Sequence, residues 1–469
     1  MSLDNLPVEW SVTGLESLSE FIIGGDWGKD LSFADESYID AFCIRGSEFK
    51  NWKTDKGKTA VPRKLKISSL NTRRLKVGDI LVEISGGGPD QPVGRTVYIE
   101  ELVFNNLDSE DIVCTNFLRL FRPISSINAK YLNFYLSFFY KTPEIVNYQS
   151  GSNNLRNLQF KDYLKLEIPM APLAEQQEIV RQLDMMLAQV EQIKARLDVI
   201  PAILKKFRQS VLADAVSGKL INQDFSSLGF LKLESLILDS GNGLSKRKGD
   251  SGNEVTVLRL ADFKDAQRVF GNERSILLTE KELLKYKLLQ NDILVVRVNG
   301  SVDIAGKFIL HKDNEKDEAY CDHFIRLRID QQKLLPEYLL YIANEGSGRD
   351  YLVNSLSTSA GQNTINQASI KGLQLRVPEI KYQDMIIQTV EKLFKHSFKI
   401  EETVLSAQKR VNLLTQSILA KAFSGELTAE WREQHQDLIT GVNSAEALLA
   451  KIQEEREASK PVKKVKKVK

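Results

Sequence analysis

The sequence predicts an α/β (α+β) architecture: two similar globular domains separated by two long antiparallel coiled-coil helices, with a pseudo-twofold internal repeat. Three observations carry it. Ile179, Leu183, Met186, Val190, Ile193, Leu197, Ile200, Leu204, Phe207 and Val211 alternate spacings of four and three, as the seam of a coiled-coil strand does. The pattern returns 207 positions on, at Ile386, Val390, Leu393, Ser397, Ile400, Val404, Ala407, Val411, Leu414 and Ile418, with Ser397 the polar break. Sequence blocks ahead of each stripe also recur in one order, and a long internal repeat fixes the architecture before any local assignment.

The first domain is expected over 1–170 and the second over 222–378. Leu15-Glu16-Ser17-Leu18 recurs as Leu233-Glu234-Ser235-Leu236, and Ile44-Arg45-Gly46-Ser47-Glu48-Phe49 corresponds to Leu258-Arg259-Leu260-Ala261-Asp262-Phe263. Asp79 to Ser85 and Asp292 to Val298 are short, β-branched and bounded by turn formers, which predicts strands. Phe117-Leu118-Arg119-Leu120 and Tyr131-Leu132 return as Phe324-Ile325-Arg326-Leu327 and Tyr338-Leu339. The apolar, aromatic run Tyr131 to Tyr140 predicts a buried helix.

Each domain is followed by a helical spacer, over 171–221 and 379–427. Pro172 and Pro378 mark the entries, where proline is tolerated because the first amides lack acceptors. Leu173 to Leu220 aligns with Ile380 to Leu427 without a gap, and both copies end on Ser-Gly, glycine being the residue that ends a helix in the left-handed conformation. Pro201 predicts a kink in a helix that otherwise continues, since its equivalent, Gln408, lies in an unbroken pattern. The remainder, 428–469, holds a short helix from Ser444 to Glu457 and a basic tail, Ser459 to Lys469, expected to be disordered. Two similar halves related by a twofold require their helices to pair antiparallel.

Composition is that of a globular chain: 42% hydrophobic, 27% charged, net charge +2. No window approaches the roughly 20 apolar residues of a membrane span, and the first residues lack a signal-peptide pattern. Cys43, Cys114 and Cys321 stand apart, which excludes a cysteine zinc site and fits a reducing cytoplasm. The expectation is a cytoplasmic chain without a membrane or metal role.

Catalytic signatures are missing. Gly300 to Lys307 has five residues between its glycines, not four, and Phe308 stands where a phosphate loop needs Ser or Thr. No Asn-Pro-Pro-aromatic tetrapeptide and no Gly-x-Gly-x-x-Gly occurs. His311, His323, His396 and His435 lack partners at ligand spacing. Cys321-Asp322-His323 places three reactive types together, but alternation along a strand would send neighbours to opposite faces.

Two kinds of polar segment remain. Basic clusters lie at Arg63-Lys64-Lys66, Arg73-Arg74-Lys76 and Lys246-Arg247-Lys248, and segments rich in amides and hydroxyls, 149–157 and 357–367, precede each long helix. Asn, Gln and Arg offer the paired groups that distinguish base edges, while Ser, Thr and backbone amides suit phosphates. The same residues also make ordinary surface turns. The candidates for DNA contact are Arg73, Arg74, Lys76, Ser85, Arg95, Ser152, Asn153, Asn154, Arg156, Lys246, Arg247, Lys248, Arg297, Asn299, Gln362, Asn363 and Asn366.

Leu173-Ala174-Glu175-Gln176-Gln177-Glu178-Ile179-Val180 opening a heptad helix, the ending Ser-Gly-Lys/Glu-Leu, and Leu427-Thr428-Ala429-Glu430-Trp431-Arg432 resemble the specificity subunit of type I restriction-modification systems. The resemblance covers nearly the whole chain and is strongest in the helices. One departure is that Tyr382 replaces the Glu of the Glu-Gln pair in the second copy. The resemblance implies a non-catalytic subunit whose target-recognition domains each read half of a bipartite double-stranded DNA target. It implies two modification subunits carrying S-adenosylmethionine, and restriction subunits carrying ATP- and magnesium-dependent motor and nuclease functions. A coiled-coil adaptor whose domains bind proteins is the alternative from another class.

Overall fold

The structure is a computed structural model that describes residues 5–88, 91–151, 156–249, 251–264, 267–312 and 316–458. It divides into two compact units, Met1–Ala195 with Gln408–Lys469, and Arg196–Ala407. The first unit is built from two separate stretches and the second from one, and neither is one domain with the helix that follows it. Each combines one globular domain with half of each long helix.

In the first unit a four-stranded antiparallel sheet runs Ser19–Gly24, Leu118–Pro123, Ile80–Glu83, Thr96–Tyr98. The strand Ile80–Glu83 is buried along its whole length, which is why its first three residues are apolar without alternation, while its last, Glu83, is buried against Arg95. A three-stranded mixed sheet is formed by Val61–Lys66, Tyr38–Ile44 and Ile112–Cys114 in that order. A small sheet of Gln149–Ser150, Arg156–Leu158 and Ser85–Gly87 and the pair Ser11–Gly14 with Glu167–Met170 complete the unit.

The second unit repeats every sheet. Its four strands run Ile237–Asn242, Phe324–Ile329, Ile293–Val296, Phe308–Leu310, and its mixed sheet Ser275–Leu278, Asn253–Leu258, Glu318–Tyr320. Ser357–Ser359, Gln362–Thr364 and Val298–Asn299 form the third sheet, and Leu231–Lys232 pairs Gln374–Leu375. The repeat extends to buried polar groups. Asp79, 1% exposed, receives both the Nε of Arg122 at 2.7 Å and its Nη2 at 2.8 Å, and Asp292 receives Arg328 in the same manner at 2.8 Å twice. Each carboxylate also accepts the amide three residues before it, which closes the turn into the central strand.

The expected buried helix is Ala129–Phe139, capped by Asn128, whose Oδ1 accepts from the amides of Lys130 and Tyr131. Its equivalent is Pro336–Asn344, with proline in the first turn. Gln176 and Gln383 hold these helices to the spacers. The Oε1 of Gln176 accepts from the Asn128 amide at 3.0 Å and its Nε2 donates to Ala171 O at 2.8 Å. Gln383 accepts from the Leu335 amide at 2.8 Å and donates to Pro378 O at 2.7 Å.

The long helices are Leu173–Ser217 and Ile380–Phe423, of 45 and 44 residues, each about 65 Å at roughly 1.5 Å per residue. Pro201 lies inside the first without ending it. Gly218 and Gly425 follow with φ of 87° and 80°, and a side chain at Gly425 would meet Pro7. In the first unit Ile179, Leu183 and Val190 pack with Ile418, Leu419 and Phe423; in the second Val211, Leu212 and Ala215 pack with Ile386, Ile387 and Val390. Early residues of one helix therefore meet late residues of the other, and the pairing is antiparallel.

The seam departs from a strict stripe in matched places. Leu204 and Val404 are buried, while Met186, Leu197, Leu393 and Val411 are half-buried. Ile193 and its equivalent Ile400 are 44% and 48% exposed, and so are Phe207 and its equivalent Leu414, at 41% and 43%. A straight α-helix drifts about 20° per heptad from a 3.5-residue repeat, so a stripe continuous in sequence rotates out of contact along the helix. Ser397 is the converse case. It is 1% exposed, and its hydroxyl accepts from Arg208, which also pairs with Glu401 at 2.9 Å.

The C-terminal helix is Ala445–Ala458, and its Leu448 and Ile452 join the core of the first unit. The tail 459–469 lies outside the described residues. Among the described residues no helix is long and apolar enough to cross a membrane.

Candidate nucleic-acid interface

The amide-rich segment of the second unit folds as a hairpin. Ser357–Ser359 and Gln362–Thr364 pair around Ala360 and Gly361, whose φ values of 48° and 74° are those of a tight connection that matches strand twist. Gln362–Thr364 also pairs Val298–Asn299, which joins the hairpin to the turn at Asn299-Gly300-Ser301.

Geometry separates the candidate side chains here. Asn363 is 5% exposed, donates to Gly300 O at 3.0 Å and accepts from Thr358 Oγ1 at 2.8 Å, so it pins the hairpin and has no edge left for a ligand. Asn366 caps the helix Gln367–Lys371 through the Ser369 amide, and Asn299 accepts from the Ser301 amide. Arg297 donates to Asp322 O at 3.3 Å. Gln362 is exposed and its amide has no side-chain partner among the described residues. It is the amide the hairpin presents.

In the first unit Arg156 stands opposite Gly87 and Asn157 opposite Ser85 in the corresponding sheet. Ser152, Asn153 and Asn154 lie outside the described residues. Arg95 makes a two-pronged pair with the buried Glu83, at 2.9 and 2.5 Å, and donates to Gly46 O. Arg73 donates to Gly24 O and Ser69 Oγ, and Arg74 pairs with Asp111 at 2.6 Å. These three arginines hold protein to protein. Lys76 is exposed, and its ammonium group has no hydrogen-bond or ion-pair partner among the described residues.

Of the second basic cluster, Lys246 pairs with Glu282 at 3.0 Å, whereas Arg247 and Lys248 are exposed without an ion pair among the described residues. Lys246 and Arg247 line a cleft of about 300 Å³ with Arg259, Arg274, Asp322 and His323. Sequence reasoning missed this cleft. Its one legible signal is the repeated arginine with an acid three residues on, which the structure realises as Arg45 with Glu48 at 2.9 Å and Arg259 with Asp262 at 3.0 Å.

The side chains of Cys321, Asp322 and His323 place their ligand atoms within 4.8 Å of one another. Strand alternation does not separate them, because they lie in the turn after Glu318–Tyr320. Burial pushes the Cys321 thiol above its ordinary range, which opposes a thiolate nucleophile.

The pattern of the type I restriction modification DNA specificity domain matches residues 7–202. The StySPI type I restriction enzyme specificity subunit of Salmonella potsdam is 46% identical over 470 residues, spanning 98% of each chain. The EcoKI specificity subunit of Escherichia coli K12 is 34% identical over 472 residues, again with 98% of each chain covered. Among solved structures, the HsdS subunit of Thermoanaerobacter tengcongensis shares the fold with a TM-score of 0.56 at 15% identity, over 90% of this chain and 98% of that one. With its duplicated recognition domains, paired spacer helices and full-length relatives, the chain belongs to the specificity subunits of type I restriction-modification systems.

Proposed function

We propose that each recognition domain reads one half of a bipartite duplex target, and that the two long helices set the unread spacing and carry modification subunits. The observation that supports this most is the duplication itself. Both domains share the same sheets and the same buried Asp-Arg pair, yet differ in the side chains they leave free. A common frame with divergent tips suits two readers of different half-sites. Gln362, Arg247 and Lys248 in one domain and Lys76 in the other have exposed polar ends for bases and phosphates.

The chain is the non-catalytic component in this reading. Two modification subunits supply S-adenosylmethionine chemistry, and restriction subunits supply the ATP- and magnesium-dependent steps. A protein-binding adaptor finds no support among full-length relatives that are themselves DNA-methylase or restriction specificity components.

Mapping methylated sites in the host genome gives both half-sites and their spacer. Binding of purified complex to that duplex is expected to fall with salt by a log–log slope of about −0.9 per phosphate contacted, and to vanish when either half is scrambled. Equal binding to the scrambled duplexes would overturn the proposal. Inserting seven matched residues into both helices adds about 10.5 Å, so the preferred spacer lengthens by about three base pairs.

A further inference from the structure

The cleft of about 300 Å³ in the second unit has a composition that neither the hairpin nor the helices explain. Leu244, Val257 and Ile276, each no more than 7% exposed, form an apolar floor. Four cationic side chains surround it. Lys246 and Arg259 are neutralised by Glu282 and Asp262, while Arg247 and Arg274 have no carboxylate partner among the described residues. Asp322 lines the same space, and its carboxylate has no side-chain hydrogen-bond or ion-pair partner among the described residues.

A metal ion bound by Cys321, Asp322 and His323 is opposed by the charge balance of the described residues, since among them two guanidinium groups without a carboxylate partner outweigh one carboxylate. An anion is favoured. A bare anion would leave the apolar floor and the Asp322 carboxylate unused, whereas a flat heterocycle with a phosphate uses all three features.

The first unit shows how such a space can be filled. The positions equivalent to Ser245 and Ile276 hold Trp27 and Arg63, and the Arg63 guanidinium lies 4.4 Å from the Trp27 ring centroid. A flat ring beside a guanidinium is thus built into one domain and missing from the other.

We propose that the cleft binds a single nucleotide outside any base stack. The base lies over Leu244, Val257 and Ile276, its donor edge faces Asp322, and its phosphate meets Arg247 and Arg274. Guanine is the preferred base because its adjacent N1–H and N2–H donors match a carboxylate. The nucleotide is either free or a residue displaced from DNA. The assignment does not rest on bipartite target recognition.

The test is titration calorimetry of the full-length chain with GMP, TMP and inorganic phosphate. One site for GMP is expected, with TMP and phosphate at least roughly tenfold weaker. Arg247→Ala with Arg274→Ala should weaken GMP and TMP alike by roughly tenfold or more, and Asp322→Asn should reduce the preference for GMP over TMP. Circular dichroism and GMP-dependent hydrogen-exchange protection of 244–249 and 321–323 verify that the variants fold and that the site is this cleft.

GMP no tighter than phosphate, or protection elsewhere, overturns the proposal. A duplex with one bulged guanine that displaces GMP identifies DNA as the source, while displacement by free nucleotide alone identifies a soluble ligand. Binding of the bipartite duplex is measured on the same variants. Its loss or retention bears on target recognition and leaves the GMP result to stand alone.

Discussion

The two units share a frame and differ in how they fill it. In the first, Phe423 at the end of the second long helix is fully buried against Tyr131, Tyr135 and Phe138, with ring centroids 5.1–5.8 Å apart. The equivalent residues of the second unit are Val216, Tyr338, Ile342 and Glu345. There Val216, Ile342 and Glu345 border a cleft of about 440 Å³. A second exchange lies nearby. Glu175, 0% exposed, accepts from Trp10 at 2.8 Å, Thr428 at 2.7 Å and Arg432 at 2.5 Å. Its equivalent Tyr382 instead meets Phe225, which stands where Arg432 does, with ring centroids 6.2 Å apart. A pseudo-symmetric fold thus conserves backbone pairing while letting whole groups of side chains change together.

The largest effect should come from the aromatic cluster. Phe423→Ala is expected to cost about 3–5 kcal/mol, whereas Val216→Ala, at a half-buried site already beside a cleft, should cost under about 1 kcal/mol. Urea unfolding of the full chain, with hydrogen exchange assigning the loss to a unit, measures the contrast. Arg432→Met leaves Glu175 buried without its cation and should cost about 3 kcal/mol. Restoring the other unit's pair with Glu175→Tyr and Arg432→Phe should recover most of it, and no recovery would show that the exchange is not self-contained.

Leu197→Asp lies at a half-buried seam position and should cost only about 1–2 kcal/mol, less than a fully buried charge, with thermal unfolding as the readout. Val216→Phe should fill the second unit's cleft and stabilise it by about 0.5–1 kcal/mol.

The smallest contrast is in pH. The helix Glu280–Tyr286 begins with Thr279 and Glu282 capping each other, while its equivalent Ile67–Arg73 begins at Lys66 with no side-chain cap. The Thr279 amide, Lys246 and the Thr279 hydroxyl pull the Glu282 carboxyl down from its ordinary 4.5 to about 2. Its contribution is present above pH 4.5 and is lost as pH falls toward 2. Amide exchange at the start of the helix should therefore rise in 280–282 over that window, whereas the start of 67–73, which has no side-chain cap to lose, should not follow it.

The duplication, the central strands and the antiparallel helices were legible because each rests on a pattern repeated at fixed spacing. Single side chains were less so. Asn363 and Gln362 are neighbours of similar chemistry, and only the hairpin's geometry makes one a pin and the other free. Arg73, Arg74 and Arg95 resemble surface cations in sequence but are held by acceptors up to 49 positions away. The swap of Glu175 for Tyr382 was visible as a departure, and its partners 253 and 257 residues distant were not.

The crosswise pairing also sets an order of events during synthesis. Tyr131, Tyr135 and Phe138 emerge early, but Phe423, the ring that closes their cluster, is made about 285 residues later. At roughly 5–20 residues per second the nascent first domain waits some 15–60 s for Phe423, and longer still for Leu448 and Ile452 of the same core. The second domain has no such wait for the start of the first helix's late half, Val211 to Ala215, which precedes it in the chain. The half of the molecule that holds the aromatic cluster is therefore the half that completes last, and its exposed aromatic surface is what a ribosome-bound chaperone would meet.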